Sequence, residues 1–225
     1  MRRRVLLRGA LLFACVGTPA HAFAQDTAAR DAALIRAAEA GDAVQVRALL
    51  AQGASVRARD GSGRTALLAA TQQNRVEAAR LLIQAGADVN AQDAIRDSAF
   101  LLAGARGYVE IIRMTVAAGA DLASTNRYGG TALIPAAHYG HVAAVRELLT
   151  TKIDVNHVND LGWTALLEAV ILGDGGAAHT EIVKLLLAAK ADPNIADRQG
   201  VTPLQHARQR GQSEIALAIQ AAGGR

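Results

Sequence analysis

Apolar residues recur along most of this chain as short pairs of helical stripes, separated by small, polar and glycine-rich breaks. Val142, Val145, Leu148 and Leu149 are spaced so that they share one helix face. A shorter, Ala-rich stripe around Ala136 and Ala137 precedes them, and Gly140 stands between the two. The pattern predicts a short helix, a turn, an amphipathic helix and a reversal, and it repeats.

The period is 33 residues. Thr65-Ala66-Leu67, Ser98-Ala99-Phe100, Thr131-Ala132-Leu133, Thr164-Ala165-Leu166 and Thr202-Pro203-Leu204 lie 33, 33, 33 and 38 residues apart. A second series keeps step: Gly53-Ala54-Ser55, Gly86-Ala87-Asp88, Gly119-Ala120-Asp121, Lys152-Ile153-Asp154 and Lys190-Ala191-Asp192. A third is the Asp or Asn that opens each unit, at Asp60, Asp93, Asn126, Asn159 and Asp197. Thr or Ser supplies an N-cap oxygen for the first helix. Pro203 sits at the first helical position, where a missing N–H costs nothing. Gly86 and Gly119 end the second helix, and the Asp/Asn-rich stretch makes the reversal. A fixed period of this length is the signature of a solenoid, in which each unit buries its face only against its neighbours.

The threonine-led openings and Gly86-Ala87-Asp88-Val89-Asn90 resemble the ankyrin repeat, whose motif runs T-P-L-H-x-A with a later G-A-D-V-N. The resemblance covers residues 27–225 and is nearest to exported bacterial ankyrin-repeat proteins. It implies an all-α solenoid whose units are about 27–59, 60–92, 93–125, 126–158, 159–196 and 197–225. The motif's His is absent: Leu68, Leu101, Ile134, Leu167 and Gln205 stand in its place. The first unit lacks the Thr-x-Leu opening and the last ends after its second helix, so both read as caps. Arg208, Gln209, Arg210 and Gln212 make the last one polar.

Residues 1–24 fall outside this pattern. A basic run from Met1 to Arg8 leads into an apolar stretch from Ala10 to Gly17, then Ala20-His21-Ala22 and Ala22-Phe23-Ala24. This is the layout of a secretory signal peptide. It predicts cleavage after Ala24, a linker at 25–30, a repeat domain over 31–225 and a periplasmic location. The apolar stretch is too short to span a bilayer, so no stable membrane insertion is expected once it is removed. Arg3-Arg4 leaves the general secretory and twin-arginine routes both open, while Phe13 and an early position argue against a lipoprotein site at Cys15.

The charge changes the picture only by being misleading. The net charge of +4 and pI near 9.7 come from Arg2, Arg3, Arg4 and Arg8. Without them 20 basic residues face 20 acidic ones, so no nucleic-acid partner is expected. Cys15 is the single cysteine, leaving the expected exported chain without thiol chemistry. No phosphate loop, nucleophile elbow or zinc-protease motif occurs, so no catalytic residues, cofactor or metal are assigned.

The aromatic residues carry the functional expectation. Phe100 takes a core Leu slot and Tyr108 an inter-helix turn. Tyr128 and Trp163 are expected at hairpin tips, with Leu161 beside them. His138 and Tyr139 are expected at the end of the first helix of unit four, with Ile171 and Leu172 in the matching slots of unit five. Exposed Tyr and Trp are typical interface anchors, so these seven residues are read as the surface for an unidentified periplasmic protein. A homodimer through the same patch, or packing against the loop at 173–179, stays open. The tenth residues of units five and six, Glu168 and His206, are expected to face each other as a buried pair. The alternative function is small-ligand binding by that region and the five extra residues around Gly173–His179.

Overall fold

The computed structural model describes residues 19–225, with side chains from residue 26 onward. The basic run, the apolar stretch and Cys15 of the expected export segment lie outside the described residues. Among those described there are six helix–turn–helix pairs. They are α1 (Pro19–Ala40) with α2 (Ala43–Ala51), α3 (Ala66–Gln72) with α4 (Val76–Gln84), and α5 (Ala99–Arg106) with α6 (Val109–Ala117). There follow α7 (Leu133–His138) with α8 (Val142–Leu148), α9 (Ala165–Ile171) with α10 (Ala177–Ala188), and α11 (Pro203–Gln209) with α12 (Ser213–Ala221). The odd-numbered helices form an inner layer and the even-numbered ones an outer layer, each packing on the next in its own layer. No strand forms among the described residues; Arg59 and Thr65 make an isolated antiparallel bridge. Residues 25–30, expected as a linker, are helical within α1.

The core repeats with the sequence. Leu34, Leu67, Phe100, Leu133, Leu166 and Leu204 occupy one slot in successive inner helices, and all are buried. The inner helices approach closely because their contact residues are small. A Cβ on Gly104 of α5 would stand 2.8 Å from Ala132 Cβ and 2.7 Å from its carbonyl oxygen.

Thr65, Ser98, Thr164 and Thr202 cap their helices, each side chain accepting the amide three residues on. Thr131 does not, contrary to expectation. Its Oγ1 is buried and without a hydrogen-bond partner. The cause is Pro135. In the other capped units the fifth residue of the motif donates its amide to the cap carbonyl, as Ala69 does to Thr65 O at 3.0 Å. Pro135 has no N–H. Ile134 N turns to Thr131 O instead, at 3.2 Å, and the hydroxyl loses the amide it would have capped.

The five extra residues of unit five do not all become loop. Ala177, Ala178 and His179 add a turn to the start of α10, which is 12 residues long against 9 for α4 and α6. Gly176 caps it. His179 thereby recovers the slot of His141 in unit four, and both do the same work. His141 Nε2 donates to Ala105 O at 3.2 Å and His179 Nε2 to His138 O at 2.9 Å, each on the preceding inner helix. Arg75 bonds Glu39 O in the same way. Gln212, expected as an exposed capping residue, is buried and donates to Val170 O at 3.1 Å.

Candidate partner-binding surface

The Asp or Asn opening each unit builds the hairpin. Its backbone N–H donates to the carbonyl four residues on, from Asp60 to Arg64 through Asp197 to Val201. Its Oδ1 accepts the amides two and four residues on: Ser62 and Arg64, Ile95 and Asp97, Tyr128 and Gly130, Leu161 and Trp163, Gln199 and Val201. One side-chain oxygen thus stands in for a backbone turn, and the residue two places on is left at the tip.

That register separates two residues the sequence had grouped. Tyr128 and Leu161 are true equivalents, 52% and 48% exposed. Trp163 is two residues further along, closes the hairpin through its own amide and carbonyl, and is half-buried. Tyr139 and Leu172 end successive inner helices and are 59% and 42% exposed. Ile171 is half-buried.

Tyr128, Leu161, His138, Tyr139 and Leu172 line one cavity of about 330 Å³ between the hairpins and inner helices of units three to five. Trp163 and Ile171 do not reach it. The His138 ring stacks on Tyr139, with centroids 4.3 Å apart and planes 11° apart. Arg127 places its guanidinium 4.7 Å from the centre of the Tyr128 ring and 4.0 Å from Asp97 Oδ2.

Glu168 belongs to this cavity and not to His206. Its Oε1 accepts from Asn159 Nδ2 at 2.9 Å, and its Oε2 lies 3.5 Å from His138 Nδ1. His206 Nε2 instead meets Asp197 Oδ2 at 2.7 Å. The expected pair across units five and six is therefore absent. In units five and six the hairpin folds the opener back onto the tenth residue of its own unit, so Asn159 serves Glu168 and Asp197 serves His206. Burial pushes the Glu168 carboxyl up to about 7, against the pull of the Asn159 amide. Burial, with His179 nearby, pushes His138 below its ordinary value, so neither group answers the other with a full charge near neutrality. Burial and the neighbouring Asp93 also raise Asp97, against the pull of Arg127 and Arg106.

The family model for ankyrin repeats (three copies) matches residues 10–93 and 100–197. The chain belongs to the ankyrin-repeat family. Its architecture is similar to that of an ankyrin repeat domain from Acinetobacter baumannii AYE, with a TM-score of 0.83 at 56% identity over 85% of this chain and 98% of that one. The ankyrin repeat protein EF0377 gives a TM-score of 0.81 at 41% identity, over 84% of this chain and 96% of its own. A relative from Escherichia coli (strain K12) described as an ankyrin repeat protein, YahD, is 48% identical over 54 residues. That match spans about a quarter of each chain, 24% of this one and 27% of the relative. Ankyrin repeats generally mediate protein–protein interaction and are typically non-enzymatic.

Within this ankyrin array the sequence reading missed Ile95, the tip residue of unit three, which is 49% exposed. The signal was available: 33 residues back from Tyr128 is Ile95, and 33 on is Leu161. Val158, just before the unit-five hairpin, is a further exposed apolar residue of the same region. Among the described residues no helix is long and apolar enough to cross a membrane.

Proposed function

We propose that this ankyrin-repeat protein is exported to the periplasm and binds a polypeptide partner through the hairpin tips and inner-helix ends of units three to five. One observation carries the reading. Ile95, Tyr128 and Leu161 form an exposed apolar row at the repeat spacing, and Tyr139 and Leu172 line one cavity with the last two of them. The corresponding tips of units two and six are Ser62 and Gln199. Apolar and aromatic side chains gathered around a concavity are what a partner desolvates. The export part rests on the basic, apolar and small-residue order of residues 1–24. It requires a chain beginning near Gln25 outside the cytoplasm, which N-terminal sequencing of fractionated cells reads directly.

A photocrosslinking residue at position 128, in cells, should trap a discrete polypeptide. The same group at Val44, exposed on the outer helix of unit one, should not. Tyr128→Ala with Leu161→Ala should change stability by only about half a kcal/mol per site, because both side chains are exposed. Two lost interface anchors at about 2 kcal/mol each weaken binding by up to roughly a thousandfold. A normally melting double variant that still captures the same partner, with the crosslinker at 139, would overturn the assignment.

A further inference from the structure

We infer that the partner inserts a lysine or arginine side chain into the cavity of units three to five, with its cationic end against Glu168 Oε2 and its stem along Tyr128, Tyr139 and Leu172. The inference rests on the partner-binding reading and specifies the partner's chemistry.

Glu168 is the reason. Its side chain is 8% exposed, yet it lines the cavity. Oε1 is committed to Asn159. Oε2 has His138 Nδ1 at 3.5 Å, well beyond the roughly 2.7–2.9 Å of a charge-assisted hydrogen bond. A carboxylate accepts several hydrogen bonds, so Oε2 keeps unused capacity towards the cavity. The position is also singular. The same slot holds Ala69, Leu102 and Pro135 in units two to four, and in unit six His206 is matched by Asp197. Unit five alone sets a carboxyl there, and its opener is the neutral Asn159. A buried carboxyl without a cation costs stability unless something supplies one.

The walls suit a cation on an apolar stem. Tyr faces attract ammonium and guanidinium groups, and Arg127 over Tyr128 already displays that contact at the mouth. The volume of about 330 Å³ lies at the small end of ligand sites, ample for one side chain. A free small cation would leave Ile95, Tyr128 and Leu161 in water, whereas the residues flanking an inserted side chain would cover them. The occupant is therefore a polypeptide.

Binding should strengthen with pH. The cation needs Glu168 ionised, and the carboxyl titrates near 7. The other charged groups lining the cavity with it are His138 from α7, and Asp97 and Arg127 from the hairpins; His179, at the start of α10 and paired with Asp174, acts on His138. His138 titrates below its ordinary value, and once protonated it competes for Oε2, so it works in the same direction.

The test titrates the chain with N-acetyl-arginine and N-acetyl-lysine methylamides, and with the neutral N-acetyl-norleucine methylamide, following the Tyr128, His138 and Tyr139 ring signals by NMR. The cationic probes should bind at least about tenfold more tightly than norleucine at pH 8, as expected of a cation meeting a desolvated carboxylate. They should weaken about tenfold by pH 6 as the ionised fraction falls. Glu168→Gln keeps the Asn159 contact through its amide oxygen and should reduce them to the norleucine level. Equal affinity of charged and neutral probes, or undiminished binding to Glu168→Gln, overturns the inference. Partner capture separates the two readings. If Glu168→Gln captures the crosslinked partner undiminished while the Tyr128/Leu161 double variant does not, the surface stands and the cationic anchor falls. If the probes bind but nothing is trapped from position 128, the partner reading falls and takes the polypeptide occupant with it.

Discussion

Glu168 and His138 face each other across two repeats, and each is shifted in the direction that disfavours its own charge. This has a consequence for stability as well as for binding. The folded carboxyl titrates near 7, above its ordinary value of 4.5. Between those two values the folded chain therefore holds a proton that the unfolded chain has released, and stability falls as pH rises through the interval. Above about 7 the penalty is complete, on the order of 3 kcal/mol at most for a shift of this size. Glu168→Gln removes the titration and keeps the Asn159 contact. Its melting temperature should exceed that of the parent at pH 8 and approach it at pH 5, as read by calorimetry at both values. A variant equally destabilised at the two pH values would show that the carboxylate is not penalised by burial. The sequence could not reveal this arrangement. It showed polar residues in the tenth slot of units five and six, but not that each opener turns back nine residues to its own unit, nor that His138 comes from the unit before.

At the scale of the element, much was legible because the decisive contacts are local. An opener's Oδ1 reaches amides two and four residues on, and a Thr cap reaches an amide three on, so spacing alone positions both. Two elements departed from the expectation for equally local reasons. The extra residues of unit five became helix where Ala177-Ala178 follow the Gly176 cap, since alanine favours helix and glycine does not. The first turn of α7 lost its cap because Pro135 lacks the amide that would otherwise reach Thr131 O. That lesion is testable. Pro135→Ala supplies the missing N–H, frees Ile134 N for Thr131 Oγ1 and removes a buried unsatisfied hydroxyl. A cap is worth about 1 kcal/mol, and the restored amide hydrogen bond to Thr131 O adds about 0.5–1.5 kcal/mol. Against them stands about 0.4–1 kcal/mol from a more flexible unfolded chain. The net expectation is a gain of about 1–2 kcal/mol in denaturant unfolding. Pro203→Ala, at a first helical position, should give no gain. Pro135 also lines the partner cavity, so tighter folding together with altered capture by Pro135→Ala would place the weakened turn in the service of the surface.

Among the described residues there is no central core that would survive the loss of an end. The helices of each layer pack mainly on those of the next repeat, and the connections between units follow the same nearest-neighbour rule. Asn90 accepts the amide of Asp121 and donates to Gly119 O, Asn156 accepts from Asp192, and Asn194 accepts from Arg225 and donates to Gly223 O. The last repeat is bound to unit five through α11 on α9 and α12 on α10, and through Gln212, whose amide reaches Val170 O. Stability in such an array is close to a sum of unit and interface terms. Deleting residues 197–225 therefore removes one unit and one interface and uncovers a face that was never built for water. Ile182, Val183 and Leu186 of α10 are buried, and Val170 O and Asn194 Oδ1 lose their partners. Each apolar side chain uncovered on this face costs about 1.5–3 kcal/mol, so a few of them offset much of the roughly 5–15 kcal/mol that holds an entire domain folded. The truncated chain should aggregate or unfold non-cooperatively, seen as loss of the monomer peak in size-exclusion chromatography and a broadened melt. A truncation that stays monomeric and melts as the full chain does would mean that unit six contributes nothing to the array.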